Sequence, residues 1–444
     1  MTTPSDAQLA KIADEIFVMG DRAKTRLPTP ANTGPAAFTT AMDAIATDAR
    51  WQDAGIGVID FTPNPLHPNV WLHNEGTPFR IGSASKIAMM LAAVQLRLDV
   101  RRILGLSPQI ISTPAEFDAL FNNRKLWQKA KPPWIEMKEI LHSPPLISKI
   151  FDFTKHPVDF AGPDPDKQTD PANQKKIDDK LPPSPSHHLS WKTPPLTFSE
   201  RLWLAGCKSD NVAATTCVSE IGVPYIKLVQ RSYGLFDPAR GMHLLGSGGY
   251  KDIPPKAEPP DPPLPRRLAD VQSVKVSDKW LKKGKYDDDT SWVSGSAAAL
   301  TAYMLALKTD ALAVDPLALV GGLVACQTIR NNLADGGAFA IPSFMVSGPP
   351  SPPGGDGVAD ITNVKSQINK IGILRHDEGA ENPLLCEFVY LETEEFTPPP
   401  APRRNKMKYA VIVDGLIATP GAGNRASEKS AALGIAIHKA LLLL

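Results

Sequence analysis

The residues best suited to chemistry in this chain begin with Ser83-Ala-Ser-Lys86, its only S-x-x-K. A serine hydroxyl is a weak nucleophile until a neighbouring base takes its proton. At the start of a helix, an amine three residues on lies on the same face as that hydroxyl. Burial disfavours the charged form of such an amine and frees it to act as the base. The helix N-terminus adds backbone N–H groups that favour developing negative charge. A second group is Ser209-Asp210-Asn211. Its serine suits proton passage between lysine and leaving group, and its Asn amide suits a substrate carbonyl; Asp210 reads as a brace for its own loop. The third is Lys370-Ile371-Gly372-Ile373. A glycine inside a strand marks close backbone approach, and the lysine beside it suits a substrate anion. Taken singly, each has a plain structural reading: a chance tetrapeptide, a turn at a helix end, an edge strand with a surface lysine.

The elements that must position these groups follow from periodicity. Residues 6–26 carry apolar positions at helical spacing. Residues 54–61 and 69–73 read as two strands joined by a Pro- and Asn-containing turn. Residues 79–100 are apolar on nearly every side from Ala84 onward, which predicts a buried central helix opening at the S-x-x-K. Helices are expected over 195–218, opening with Thr197 and Glu200 in capping-box spacing, and over 291–308 and 316–331. The period then changes: 370–374, 384–392 and 408–416 read as strands rich in β-branched and aromatic residues, and 426–444 as an amphipathic helix. This order predicts an α+β fold, with strands from both ends of the chain combining into a five-stranded antiparallel sheet flanked by terminal helices, plus an all-helical lobe. The sheet domain is expected to be discontinuous, over 1–82 and 360–444, with the lobe over 83–359.

Composition bounds the function. The chain has 444 residues, 42% hydrophobic and 21% charged, so it can build a sizeable core. A formal net charge of +1 gives no electrostatic reason to expect nucleic acid or an anionic membrane. No apolar run reaches the length of a membrane span. The start lacks a basic segment followed by an apolar run, so the expected location is cytoplasmic, or periplasmic if a leader has been removed. Cys207, Cys217, Cys326 and Cys386 make no C-x-x-C pair, and the nine histidines make no H-x-x-x-H or H-E-x-x-H. No metal or other cofactor is therefore expected. The 44 prolines are about twice the usual share. They cluster at about 123–195, 253–266 and 349–357, which read as insertions, and again over 397–404. The first holds Trp134, His156, His187, His188 and Trp191, and either forms a rim over the site or packs on the surface.

S-x-x-K, S-D-N and K-T/S-G are the three motifs of the penicillin-recognising serine enzymes. Here the three stand in that order, on a strand-then-buried-helix, in a helical middle, and on a strand of the closing sheet. The chain therefore resembles the serine β-lactamase and penicillin-binding protein (D-Ala-D-Ala peptidase) superfamily, with a class A β-lactamase-like motif set. The text F-R-I-G-S-A-S-K is also similar to class C β-lactamases and their esterase relatives. The resemblance implies a β-lactamase/transpeptidase-like fold and a serine hydrolase that forms an acyl-enzyme on a small or peptide-like acyl substrate. Ser83 is then the nucleophile, Lys86 its base and Ser209 the proton relay. Asn211 and Lys370 bind substrate, while Ile371, Gly372 and Ile373 line it, with Ser83 and Ile373 N–H groups as oxyanion hole. Arg375 and His376 follow as candidate cleft residues. Ile371 stands where the family carries a hydroxyl that helps bind a carboxylate, and losing such a bond costs roughly 1.5–3 kcal/mol. Between Asn211 and Lys370 no Glu-x-x-x-Asn supplies the class A deacylating base, and Glu258 sits in a proline cluster. These departures favour a neutral ester or amide substrate, or else a catalytically weak relative that keeps the fold as a binding scaffold.

Overall fold

The computed structural model describes residues 4–16, 26–106, 111, 113–130, 141, 143–152, 159–160, 197–207, 209–245, 294–312, 329–330, 333, 364–374, 384–394, 404, 406–417 and 426–444. Trp134, His156, His187, His188, Trp191, Glu258, Cys326, Arg375 and His376 lie outside these residues, as do most of the 316–331 helix and of the proline clusters. The helices used below are α1 (Asp6–Glu15), α2 (Ala36–Ala46), α3 (Lys86–Leu106), α4 (Arg124–Ala130), α5 (Phe198–Cys207), α6 (Asn211–Ile221), α7 (Val223–Ser232), α8 (Ala297–Lys308) and α9 (Ala426–Leu442). A 3₁₀ turn over Gly82–Ser85 leads into α3.

Strands β1 (Gly55–Asp60), β2 (Asn69–His73), β3 (Val364–Leu374), β4 (Leu384–Glu394) and β5 (Lys406–Ile417) form the expected five-stranded sheet. Its order is β2-β1-β5-β4-β3, and all neighbours are antiparallel. β3 begins six residues earlier than its apolar stretch suggested. Its first half, V-K-S-Q-I-N, has weak strand propensity and is held by pairing with β4.

Successive side chains alternate between the two faces. Val58, Val389, Tyr409, Val411 and Val413 face a core closed by α2 and α9. Ile59, Cys386, Phe388, Tyr390, Ala410 and Ile412 face the larger core, which includes α3 and the helical lobe. α8, expected within that lobe, lies directly on the sheet: a Cβ at Gly57 would collide with Thr301 Oγ1, so the glycine lets helix and strand meet. The expectation that both terminal helices flank the sheet needs one correction. α1 packs against α4 and α3, where Leu9 and Ile12 join the helical core, and α2 partners α9 instead.

α3 is the axis of the lobe. Ile87 through Leu96 are all buried, which is why no polar face shows in its sequence. Two of its interior polar groups, Gln95 and Asp99, are bound from α7 and its cap. Gln95 Nε2 and Tyr225 Oη donate to Asp99 at 2.9 and 2.8 Å, and Tyr233 Oη donates to Gln95 Oε1 at 2.7 Å. This fixes the helix whose first residue is Lys86.

Candidate active site

The 3₁₀ turn decides which serine of S-A-S-K is presented. Ser85 is fully buried and donates its hydroxyl to Gly82 O at 2.8 Å, so it is spent within the turn. Ser83 is half-buried. Its carbonyl, with that of Ala84, accepts from the Lys86 backbone N–H, which passes the chain from turn to helix.

The helix expected over 195–218 is two helices, α5 and α6, and the break is the S-D-N segment. Asp210 is the N-cap of α6, its Oδ1 accepting from Ala213 N–H at 2.6 Å, which is what such a residue does at a helix start. Ser209 just before it is left-handed, with φ of 56°. That conformation is uncommon for a residue with a side chain and recurs at functional sites. Here it turns both the carbonyl and the hydroxyl of Ser209 toward α3.

Lys86 Nζ donates to Ser209 O at 2.6 Å, to Asn211 Oδ1 at 2.8 Å and to Ser209 Oγ at 3.3 Å. From the sheet, Lys370 Nζ donates to the same Ser209 Oγ at 2.8 Å and to Ile371 O at 3.3 Å. Lys86, Ser209, Asn211 and Lys370 thus form one cluster, three segments apart in sequence. No hydrogen bond among the described residues joins the Ser83 hydroxyl to the Lys86 amine, so the expected serine–lysine bond is replaced in this state by bonds to Ser209 and Asn211. The Ser209 carbonyl is the acceptor that sequence reasoning missed, because it depends on one backbone dihedral.

Both amines are buried, at 1% exposure each. Burial holds Lys86 well below the usual lysine range, reinforced by the Lys370 charge and opposed by Asp210. Burial lowers Lys370 to about 7, with Cys207 and Cys386 acting the other way.

Gly372 explains how β3 reaches the turn. A Cβ there would collide with Ile81 O and crowd Ala84 N at 2.9 Å, so only glycine lets the strand backbone lie against the segment carrying Ser83. Ile373 follows directly on that contact. Among the described residues β3 is also the edge of the sheet, with strand pairing on one side of its backbone only. Ile371 is different. Its side chain is half-buried against the α2–α9 core, on the face opposite Lys370. The expectation that residue 371 lines the substrate through its side chain is therefore corrected: only its backbone adjoins the site.

No protein-family model matches the sequence, and no curated protein matches it. Solved structures do. In outline the chain is similar to class A β-lactamases. The enzyme from Mycobacterium abscessus aligns at 13% identity with a TM-score of 0.41, covering 90% of this chain and 98% of that one. A class A representative from Bacteroides cellulosilyticus gives 11%, 0.41, 92% and 99%, and a β-lactamase from Sphaerobacter thermophilus gives 14%, 0.38, 91% and 97%. Likeness at this level says nothing about chemistry, which rests on the cluster itself. Among the described residues no group of three or more His, Cys, Asp or Glu could hold a metal, and no single helix is long and apolar enough to cross a membrane.

Proposed function

We propose that this chain is a serine acyl-hydrolase that works through an acyl-enzyme at Ser83. The observation that supports it most is the cluster of two desolvated lysines meeting at Ser209, at the mouth of the helix that Ser83 introduces. A neutral Lys86 amine has two hydrogens and a lone pair. Its two short contacts, to Ser209 O and Asn211 Oδ1, use the hydrogens. The long donation, 3.3 Å to Ser209 Oγ, is the one the amine gives up when it is neutral, which frees its lone pair. With substrate bound, that lone pair takes the Ser83 proton as Oγ forms its bond to the acyl carbon, since such bonds tighten only in the complex. The oxyanion is received by the Ser83 and Ile373 N–H groups. As the bond to the leaving group breaks, Ser209 gives that group its proton and regains one from Lys86. Water then cleaves the ester, returning Ser83.

The substrate class this favours is an ester or amide, because the side chain of residue 371 faces away from the site and leaves a substrate carboxylate one partner fewer. A β-lactam or D-Ala-peptide-like substrate remains within the same chemistry, with slower turnover. The second reading, a weakly active or inactive binding scaffold, is favoured by one observation: Lys86 is engaged with Ser209 and Asn211 and not with Ser83.

Intact-mass labelling separates these readings. The protein and Ser83→Ala are treated with a fluorophosphonate and with a fluorescent penicillin. A single adduct that disappears in Ser83→Ala is expected, with the fluorophosphonate faster. Absence of an adduct from both reagents at high concentration leaves the scaffold.

A further inference from the structure

Tyr303 is fully buried in α8, whose other interior residues are mostly alanine and leucine. A buried phenol needs an acceptor, and this one finds it far along the chain. Tyr303 Oη donates to the Ile87 carbonyl at 2.9 Å. Ile87 is the residue after Lys86. A carbonyl oxygen has two lone pairs, so one within a helix can accept a bond from the side. The next carbonyl along is held as well, with Gln230 Nε2 of α7 donating to Ala88 O at 3.1 Å. The first turn of α3 is therefore gripped at two successive carbonyls by two other helices.

The tyrosine ring ties the same point to the sheet. It meets Phe388 edge-on, with ring centroids 5.8 Å apart and planes at 74°, a preferred aromatic geometry. Phe388 on β4 stands opposite Lys370 on β3, so the two side chains share one face of the sheet. α8 is itself anchored there: Ala298 N–H donates to Glu75 O at 2.9 Å, and Thr301 lies against the glycine at position 57. One side chain thus joins the residue after one amine to the residue opposite the other.

We infer that Tyr303 is a positioning residue for Lys86: its hydroxyl fixes the first turn of α3 against the strands that carry Lys370, which keeps both amines on Ser209. The inference rests on reading Lys86 as the base for Ser83. Tyr303 acts through the Ile87 carbonyl, not on substrate. The amine it places makes bonds of 2.6 to 3.3 Å, and a misplacement of about 1 Å can cost about 100-fold in rate. A tyrosine that only satisfied its hydroxyl in the core would affect melting and leave the amine unchanged.

The test reads two quantities in the full chain. One is the pH profile of fluorophosphonate acylation at Ser83. The other is the titration of the Lys86 amine, by NMR of isotope-labelled lysine with Lys86→Met to assign the signal. Burial holds the Lys86 pKa down, and the charged groups facing it among the described residues are Lys370 from β3 and Asp210 at the head of α6. Tyr303→Phe keeps the ring and removes the grip. A loosened amine regains water, so its titration should move to higher pH. Acylation should slow roughly 10- to 100-fold, with its rising limb displaced the same way. Tyr409→Phe is the control. It removes an equally buried hydroxyl, 2.9 Å from His438 on the α2–α9 side of the sheet, and should lower the melting temperature with both readouts at parent values. Should Tyr303→Phe not fold, Phe388→Leu carries the test: it removes the ring that orients Tyr303 and should move both readouts in the same sense. In a parent that labels at Ser83, either readout unchanged in Tyr303→Phe, or moved equally by Tyr409→Phe, overturns the inference and leaves the hydrolase standing. A parent without a Ser83 adduct removes the hydrolase; the Lys86 titration then decides alone, and a shift in Tyr303→Phe keeps Tyr303 as the residue that places the amine.

Discussion

On the sheet face covered by α2 and α9, the buried acid and histidine each meet a hydroxyl, while the neutral Asn369 Oδ1 and Thr393 Oγ1 have no partner among the described residues. Ser430 donates to Glu387 Oε2 at 2.7 Å, and Tyr409 pairs with His438 Nδ1 at 2.9 Å. On the opposite face, Lys370 reaches out of the sheet to Ser209, and the Asp414 carboxyl is fully buried with only the Cys386 thiol and the Gly415 backbone, among the described residues, to set against the cost. The same strands build both faces, and one residue of register separates them: Ile371 from Lys370, Glu387 from Cys386, Val413 from Asp414. A slip of one position would exchange every pair. The difference teaches where the stability of this protein is kept and where it is given up. The outer face pairs its buried Glu387 and His438 with hydroxyls and fills the rest with aliphatic and aromatic side chains. The inner face carries two buried amines and a carboxyl whose charged states are all disfavoured, an arrangement that concentrates at functional sites.

The largest expected effect is at Lys86. Lys86→Met removes the proposed base and should slow fluorophosphonate acylation of Ser83 roughly 10²–10⁴-fold, the usual worth of a positioned general base. Its melting temperature should hold or rise, because an apolar chain of similar length replaces a desolvated amine. Rapid-quench labelling and thermal unfolding measure the two quantities. A lower melting temperature with unchanged acylation would make Lys86 a structural residue and erase the contrast between faces.

The converse substitution belongs to the outer face. Leu433 on α9 is fully buried in the core that α2 and α9 close. Leu433→Ala should cost about 2–5 kcal/mol in urea unfolding, from lost burial and the cavity left behind. Acylation per folded molecule should stay at the parent rate. If acylation fell in proportion to stability, the two faces would be mechanically one, and the separation argued from the polar groups would be wrong.

The sequence made some of this visible and hid the rest for physical reasons. Ser83 to Lys86, Ser209 to Asn211, and Lys370 to Gly372 are short and local, so residue type and spacing exposed them. β1, β4 and β5 announced themselves through apolar and β-branched runs. Asp210 was readable as a brace because helix capping is local. The first half of β3 was hidden because its order comes from a partner strand. The break at Ser209 was hidden because a positive φ leaves no mark in a serine. The docking of α1 on α4, and not on the sheet, depends on which apolar stripe meets which, a choice that helical periodicity does not make. Ile371 was misplaced for a similar reason: alternation assigns neighbouring residues to opposite faces, but which face meets the helical lobe is a tertiary fact.

Asp414 gives the smallest effect and the finest test. It sits where the β5–β4 pairing shifts register, between Val413 and Leu416, with Cys386 beside it. Burial raises its pKa well above the ordinary value, opposed by the Cys386 thiol and the Gly415 backbone. The folded protein therefore holds this proton more tightly than the unfolded chain does. The stability tied to that proton is complete below the unfolded carboxyl value of about 3.9 and is lost as pH rises toward the folded value. Asparagine has the same shape and no proton to lose. Asp414→Asn should then be nearly neutral below about pH 4, where the parent carboxyl is protonated in both states, and should gain on the parent by about 1.4 kcal/mol over the first pH unit above that. Other titrating groups are common to both proteins and cancel in the comparison. Paired thermal melts across that range measure the difference directly. A variant that is less stable by the same amount at every pH would mean that Cys386 and Gly415 offset the burial of a charged Asp414, and the contrast between the two faces would fail.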